Sequence, residues 1–250
     1  MERESINTVV LAGGFGVRTE NALGGVPKAL VPVGKSTVID YLLDDLDEIT
    51  RNVALVTNGK YFDILKAKID SRGPVLNIIV LSNEQTLAEK RLGALGDLIF
   101  ALGKLAWWKR DLLVVPSDTL YYKSFVLKDL VGLADKYPKS LITVARDIKD
   151  REKIKGRFGC ILLGSDNKMI AFIEKPQEPP STFAATPFYL YRAPHLEFLR
   201  KFKRNGGNLD QPGNIIPYLL EAGVDIRVLI GKNKIIDVGT PEDIISARNY

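Results

Sequence analysis

Residues 13–16 (Gly-Gly-Phe-Gly) form a glycine-rich stretch whose backbone could wrap around a phosphate group. It follows an apolar, β-branched run at residues 7–12, and it is followed by Arg18 and, behind a proline, by Lys28. Glycines let backbone N–H groups approach phosphate oxygens, and the two basic side chains add positive charge. The pattern therefore predicts a phosphate-binding loop, although glycines after a strand are equally typical of a tight turn.

Two better-known phosphate motifs are excluded by single positions. A dinucleotide-binding fingerprint needs a third glycine where Thr19 stands. A Walker A loop ending at residues 34–36 (Gly-Lys-Ser) needs its first glycine where Ala29 stands. Neither motif is therefore present in these two segments.

Two isolated aspartates form a second candidate site. Asp118 follows the apolar run LLVVPS, and Asp237 follows KII, so each is predicted at the end of a strand. Two carboxylates can hold Mg²⁺, which keeps several waters and bridges substrate phosphates. The alternative is a turn aspartate or a helix cap, notably for Asp237, because Pro241 can open a helix. Beside a phosphate loop, a metal site is the favoured interpretation.

The third candidate is the pair Glu174 and Lys175, which ends an apolar run and precedes Pro176. The lysine can bind a phosphate group, and the glutamate can accept hydrogen bonds from hydroxyl groups. The alternative is a surface ion pair, which would contribute less than about 1 kcal/mol to stability.

Strand-like and helical patterns alternate through the first half of the chain. Buried strands are predicted at residues 7–12, 53–57, 76–81 and 112–116, and amphipathic helices at 38–49, 61–69 and 92–105. This alternation predicts a parallel sheet with helices on both faces, in which ligands bind at the carboxyl ends of the strands. The glycine loop and Asp118 are therefore expected at the same edge.

Beyond about residue 141 the pattern becomes mixed. Strands are predicted at 141–146, 159–163, 169–174 and 183–191, helices at 195–203, at 214–222 and from Pro241, and a β-hairpin at 225–230 and 234–238. No repeat or linker interrupts the chain. One domain of residues 1–250 is expected, with halves at about 1–140 and 141–250.

The composition restricts the compartment and the partners. The chain is 46% hydrophobic and 26% charged and has no apolar run of about 18 residues, so no membrane partner is expected. Residues 1–7 carry charges of both signs, so a secretory signal is not expected. A single cysteine, Cys160, cannot form an internal disulfide, which favours a reducing cytoplasm.

The net charge of +5 suits an anionic ligand, but the basic residues are dispersed. The densest cluster, residues 200–204, is interpreted as the solvated end of a helix, and Trp107 and Trp108 as the apolar end of another. No nucleic-acid partner is expected. The sole histidine, His195, is expected on the surface rather than in catalysis.

In this order the motifs resemble the sugar-1-phosphate nucleotidyltransferase family. The resemblance covers nearly the whole chain, from LAGGFGVR and PKALVPVGKSTVIDYLL, through RLGALGDL and VVPSD, to FIEKP and IIDVGTPEDI. It implies a Rossmann-like three-layer α/β/α fold with a mixed, mainly parallel sheet and a smaller, β-rich sugar-binding part. It also implies that an NTP (dTTP, UTP or GTP) and a hexose 1-phosphate react with Mg²⁺ to give an NDP-sugar and pyrophosphate. A homo-oligomer remains open.

The resemblance assigns roles by position. Catalysis would fall to Arg18, Lys28 and Asp118, with Asp118 and Asp237 as metal ligands. The nucleotide would contact Leu11, Ala12, Gly13, Gly14, Gly16, Arg18, Lys28 and Gly93, and the sugar phosphate would contact Glu174, Lys175 and Thr186. A polar residue upstream of Gly93 is expected to read the edge of the base, and Asn83, Gln85 and Glu89 are equivalent candidates.

Several positions depart from the family pattern. Ser117 and Pro187 stand where glycine is usual, Thr19 where leucine is usual, and the base loop reads Gly-Ala-Leu-Gly-Asp instead of Gly-Thr-Ala-Gly-Ala. Two alternatives stay open: a cytidylyltransferase for a polyol phosphate or phosphocholine, and a non-catalytic regulatory subunit that binds a nucleotide sugar. The regulatory subunit would lose phosphate or metal residues, whereas all the charged positions are present here.

Overall fold

The structure, a computed structural model, describes residues 5–73, 76–121, 127–231, 235–238 and 240–248, and the side chains of residues 18, 20, 22, 237, 241 and 248 lie outside that description. The strands in these residues are β1 (Ile6–Ala12), β2 (Pro32–Val33), β3 (Ser36–Thr37), β4 (Asn52–Thr57), β5 (Asn77–Ser82), β6 (Asp111–Pro116), β7 (Thr119–Leu120), β8 (Leu141–Asp147), β9 (Cys160–Leu163), β10 (Met169–Ile173), β11 (Phe183–Tyr191), β12 (Ile226–Gly231) and β13 (Ile236–Asp237). The helices are α1 (Glu20–Leu23), α2 (Val38–Asp47), α3 (Phe62–Asp70), α4 (Ala94–Leu105), α5 (Leu127–Lys136), α6 (Leu196–Arg204), α7 (Ile216–Glu221) and α8 (Pro241–Arg248). In the described part of the chain, no helix is long and apolar enough to cross a membrane.

Nine of the described strands form one mixed sheet with a parallel core. Strands β6, β1, β4 and β5 lie side by side in that order and run parallel. Strand β11 pairs antiparallel with the other edge of β6 and also pairs with β8 and β9. Strands from both halves of the chain therefore share one sheet.

Side chains that alternate along the central strands pack against helices on opposite faces of the sheet. In β1, Val10 packs in the cluster that includes α2, α3 and α5, whereas Val9 packs in the cluster that includes α4, α6 and α7. Both valines are completely buried, as expected for a parallel strand that is covered on both faces. The predicted three-layer α/β/α arrangement is confirmed.

The predicted β-hairpin over residues 225–238 is wrong for the residues that the structure describes. Strand β12 pairs parallel with β8, and β13 pairs antiparallel with β7. The chain returns to β8 through α6 and α7, and such a long crossover permits parallel pairing where a short turn does not. The register of β13 places Asp237 opposite Thr119, beside Asp118.

The prediction of a surface histidine is also wrong. His195 is 7% exposed, and its Nδ1 accepts a hydrogen bond from the Arg192 N–H at 3.3 Å. Burial lowers the pKa of His195. The neutral ring therefore closes the turn between β11 and α6, a structural role.

Arg192 joins three elements around this turn. Its guanidinium donates to Asp111 Oδ2 at 2.8 Å, at the start of β6, and to the Ala134 carbonyl oxygen of α5. Asp111 Oδ1 also accepts the Ala193 N–H at 2.9 Å. The buried arginine therefore ties β11 to β6 and α5.

We expect Asp111→Asn to lower the free energy of unfolding by about 1–3 kcal/mol, because the charge-assisted bond to a buried guanidinium is lost. Urea unfolding of Asp111→Asn, Arg192→Met and the double variant measures the coupling between the two side chains. An equal loss with and without Arg192 would show that the pair contributes nothing.

Candidate active site

A cleft of about 530 Å³ opens at the carboxyl ends of β1 and β6, between the two halves of the chain. A smaller cavity of about 70 Å³ adjoins it and shares Lys28 and Asp118 with it. Of the residues singled out from the sequence, the cleft is lined by Leu11, Gly13, Gly14, Lys28, Gly93, Asp118, Glu174 and Lys175. Ala12 and Gly16 line the smaller cavity. The structure thus brings together most of the predicted site.

The glycine loop is fixed from its protein side. Asn58 Nδ2 donates to the Gly13 carbonyl oxygen at 3.1 Å, and the Tyr61 hydroxyl donates to the Phe15 carbonyl oxygen at 3.0 Å. Both side chains are buried, and Gly16 has a φ of 65°, which favours glycine. These bonds use the carbonyl oxygens of the loop, so its N–H groups remain suited to phosphate oxygens.

Lys28 and Asp118 meet in the cleft. Lys28 Nζ lies 3.3 Å from Asp118 Oδ2, and the side chains are 20% and 26% exposed. The Asp118 carbonyl oxygen accepts the Val238 N–H at 2.9 Å, which places the backbone of Asp237 next to that of Asp118. The side chains of Arg18 and Asp237, both predicted site residues, lie outside the described part of the chain.

Glu174 and Lys175 line the opposite wall at the end of β10. Lys175 Nζ lies 4.0 Å from Glu174 Oε1. The pKa of Glu174 is raised, mainly because the side chain is buried. The charge of Lys175 lowers this pKa in part, and the charge of Asp210 raises it. A Cβ atom added at Gly213 would lie 2.6 Å from Glu174 Oε2, so a side chain at this position would collide with the carboxylate.

Gly93 caps the N-terminus of α4 at a contact between the two halves. Its φ is 80°, and an added Cβ would lie 2.3 Å from the Leu209 carbonyl oxygen. The first N–H groups of α4 donate to the carbonyl oxygens of Asp210 and Leu209, at 2.9 and 3.0 Å. Arg91 Nε also lies 2.7 Å from Asp210 Oδ1. Both charged residues line the cleft, and neither was predicted from the sequence.

The structure does not bring Thr186 to the cleft. Ala185, Pro187 and Tyr189 line it, and because side chains alternate along β11, Thr186 points to the other face, where it is 4% exposed. Among the described residues, its hydroxyl has no hydrogen-bond partner. Of the two glycine-replacing residues, Pro187 lies in the cleft wall and Ser117 in the wall of the smaller cavity.

None of the three base-reading candidates lines the cleft, where Ala88 and Arg91 stand instead. Asn83 is buried and donates to Asp97 Oδ1 at 2.6 Å. The Gln85 carbonyl oxygen accepts the Gly59 N–H, and Glu89 is exposed.

Asp97 is an acidic residue of the cleft wall that was not identified from the sequence. It lines the cleft from the first turn of α4 and is 4% exposed. An added Cβ at Gly13 would lie 2.0 Å from Asp97 Oδ2, so only glycine admits this carboxylate. Burial raises the pKa of Asp97 to about 6, and the Asn83 hydrogen bond lowers it in part. The signal in the sequence was the aspartate that replaces alanine in the base loop.

The structure defines an α/β protein with a glycine loop, a lysine and an aspartate at the carboxyl edge of its parallel strands, where ligands bind in such folds. Residues 7–250 match the family model described as nucleotidyl transferase. The chain belongs to this family and is an enzyme of the nucleotidyltransferase class.

Two curated relatives and one solved structure illustrate the similarity. A glucose-1-phosphate thymidylyltransferase from Neisseria gonorrhoeae is 25% identical over 97% of this chain and 81% of its own. A Sulfolobus acidocaldarius protein, provisionally named mannose-1-phosphate guanyltransferase, is 26% identical over 95% of this chain and 61% of its own. A Bacillus anthracis protein, provisionally described as a glucose-1-phosphate thymidylyltransferase and crystallised with sucrose, shares the fold with a TM-score of 0.78. It is 19% identical, over 98% of this chain and 94% of its own.

We expect Asp97→Asn to stabilise the ligand-free protein at pH 7. The pKa of Asp97 is about 6 in the fold, against an ordinary value of 3.8. One pKa unit corresponds to about 1.4 kcal/mol, so the buried charge costs on the order of 2–3 kcal/mol above pH 6. Below about pH 4 the carboxyl is protonated in both the folded and the unfolded protein, and this cost disappears.

Urea unfolding of the wild type and Asp97→Asn between pH 4 and pH 8 checks this expectation. The variant should gain stability over the wild type as the pH rises from 4 to 6, and the gain should then stay constant. A gain that is independent of pH would contradict the burial of an ionised carboxylate.

Proposed function

We propose that this enzyme transfers a nucleotidyl group from an NTP to a hexose 1-phosphate and releases pyrophosphate. The observation that carries the proposal is a single cleft with Lys28 and Asp118 beside the glycine loop on one wall and Glu174 and Lys175 on the other. The names of the thymidylyl and guanylyl relatives support a sugar 1-phosphate as the acceptor.

In the proposed reaction, a phosphate oxygen of the sugar phosphate attacks the α-phosphorus of the NTP. A new P–O bond forms, and the bond to the leaving pyrophosphate breaks. A phosphate monoester is largely ionised at neutral pH, because its second pKa is about 6, so the attacking oxygen needs no general base. Lys28 would bind the triphosphate and stabilise the charge of the transition state, and the proposal gives Arg18 the same role.

The donor set at this edge of the sheet suits Mg²⁺. The Asp118 carboxylate lies in the cleft, and backbone pairing brings Asp237 next to it, which matches a cation that is bound by one or two carboxylates and substrate phosphates. In the proposal, Asp118 and Asp237 hold the ion. When bound, Mg²⁺ neutralises phosphate charge and orients the reacting groups.

On the opposite wall, Lys175 would bind the phosphate group of the acceptor, and Glu174 would accept hydrogen bonds from sugar hydroxyls. The proposal thus gives the nucleotide to residues 1–140 and the sugar phosphate to residues 141–250 of one domain. It places the reaction in the cytoplasm and is compatible with a homo-oligomer.

The test is pyrophosphate release with Mg²⁺, for the four common NTPs and dTTP against a panel of sugar 1-phosphates, a polyol phosphate and phosphocholine. We expect release that requires one NTP and one sugar 1-phosphate, and that stops when either substrate or Mg²⁺ is omitted. Release with CTP and a polyol phosphate or phosphocholine alone would assign a different acceptor. No release from folded protein that binds nucleotide would overturn the enzymatic proposal.

We expect Asp118→Asn to lower turnover at least about 100-fold, because the transition state loses a carboxylate that holds the ion and positions Lys28. The matched control is Asp70→Asn, which removes an exposed carboxylate on α3, 60% exposed and paired with Lys66. Initial rates and thermal melting of both variants are compared. Full activity of Asp118→Asn would show that this carboxylate is not required for the reaction.

We expect Lys175→Met to raise the KM for the sugar phosphate about 10- to 100-fold, because a charged hydrogen bond to phosphate is lost. The KM for the NTP should change less than about 3-fold, since Lys175 stands on the opposite wall from the glycine loop. Lys66→Met, at an exposed lysine on α3, is the control. A rise in the KM for the NTP alone would show that Lys175 binds the NTP, and the assignment of the two substrates to the two walls would be reversed.

A further inference from the structure

Asp97 is held in one orientation by its neighbours. Its Oδ1 accepts the Asn83 side-chain amide at 2.6 Å, and Asn83 is itself fixed because its Oδ1 accepts the Gln85 N–H at 3.0 Å. The Asp97 backbone N–H donates to the Gly93 carbonyl oxygen at 2.8 Å. The second oxygen, Oδ2, lies against Gly13 and receives no hydrogen bond from the residues that the structure describes. A nearly buried carboxylate therefore keeps one acceptor unused at the wall of the cleft.

The position of Asp97 separates it from the phosphate end of the site. Gly14 and Gly16 line the smaller cavity together with Lys28 and Asp118, whereas Asp97 and Gly93 line only the main cleft. A carboxylate repels phosphate groups and attracts N–H and O–H donors. This step rests on the proposed function, with the nucleoside beside Gly13 and Gly93, two positions that the family resemblance assigns to the nucleotide. Asp97 stands between these two glycines.

We propose that Asp97 selects guanine, by accepting hydrogen bonds from the N1–H and the 2-amino group of GTP. An ionised carboxylate only accepts hydrogen bonds, and guanine presents two adjacent donors on this edge. Uracil and thymine present one N–H between two carbonyl oxygens, which a carboxylate repels. Adenine and cytosine present an amino group beside a ring-nitrogen acceptor. Of the five bases, guanine matches an unused carboxylate oxygen best.

The same geometry gives an indirect role to Asn83, which is buried and does not line the cleft. Asn83 reaches the cleft only through Asp97, whose orientation it sets. Asn83 is therefore a positioning residue, and Asp97 would be the residue that contacts the base.

The test compares GTP with ITP, whose base keeps N1–H but lacks the 2-amino group. We expect kcat/KM of the wild type to favour GTP over ITP by about 10- to 100-fold, the effect of one hydrogen bond to a charged group, and to favour GTP over UTP and dTTP. Asp97→Ala should bring the GTP:ITP ratio close to one. Asp97→Asn, which offers an amide donor, should raise the use of XTP relative to GTP, because xanthine carries an acceptor at position 2.

Asp111→Asn is the matched control, since Asp111 pairs with Arg192 and does not line the cleft. It should lose stability and keep the wild-type GTP:ITP ratio. Thermal melting shows that each variant is folded, and Kd values for the Mg²⁺ complexes of GTP, ITP and 2′-deoxy-GTP are measured by calorimetry in parallel with the rates.

A wild-type preference for UTP or dTTP, or a GTP:ITP ratio that Asp97→Ala leaves unchanged, would overturn the assignment of guanine while pyrophosphate release still supports the proposed function. Asp97→Ala could instead change the ratio of the Kd values for GTP and 2′-deoxy-GTP and leave the GTP:ITP ratio unchanged. That result would show that the carboxylate contacts the ribose, and it would also overturn the assignment of guanine. If no NTP turns over, the proposed function fails, and the calorimetric GTP:ITP ratio still decides the role of Asp97.

Discussion

The parallel register of β6, β1 and β4 is the constraint on which the site depends. Leu11 pairs with Pro116 and Ala12 pairs with Thr57, so all three strands end at the same level of the sheet. The residues that follow them, Gly13, Ser117 and Asn58, consequently leave the sheet side by side. Asn58 can then hold the glycine loop, and Asp118 can reach the same cleft. A shift of one residue in either strand pair would separate these groups.

The strands of this core were predictable because their signals are local. Buried β-branched runs between glycine and polar turns predicted all four strands that the described first half contributes to the nine-stranded sheet, with errors of about one residue. The helix α5 was missed, although Leu127, Leu130 and Ala134 have helical spacing and are buried. The hairpin at residues 225–238 was wrong because strand partners there are distant in sequence, and turn residues alone do not choose between a near and a far partner.

Most of the residues that a motif names do line the cleft or the smaller cavity, whereas residues whose position depends on packing were misplaced or not identified. Thr186 was assigned by its place in a motif, but strand alternation turns it away from Ala185 and Pro187 in the cleft wall. His195 was predicted on the surface because a highly charged helix follows it in the sequence. Its burial depends instead on the turn that it forms with Arg192, which the sequence pattern does not reveal. Asp97 gave a signal only as a departure from a pattern, since its environment depends on Gly13, which is 84 positions earlier in the chain.

Both walls of the cleft use the same device: a glycine that makes room for a carboxylate. An added Cβ at Gly13 would lie 2.0 Å from Asp97 Oδ2, and one at Gly213 would lie 2.6 Å from Glu174 Oε2. Burial raises the pKa of both carboxyls, so each charge costs free energy unless a partner stabilises it. Donor groups of a bound substrate would offset that cost.

The two walls are also joined, because α4 donates its first N–H groups to the carbonyl oxygens of Leu209 and Asp210. These N–H groups have no partner within the helix, so separating the walls here would leave them unbonded. In the proposed reaction, the fold would therefore set the distance between the two substrates before either binds, as in-line attack requires.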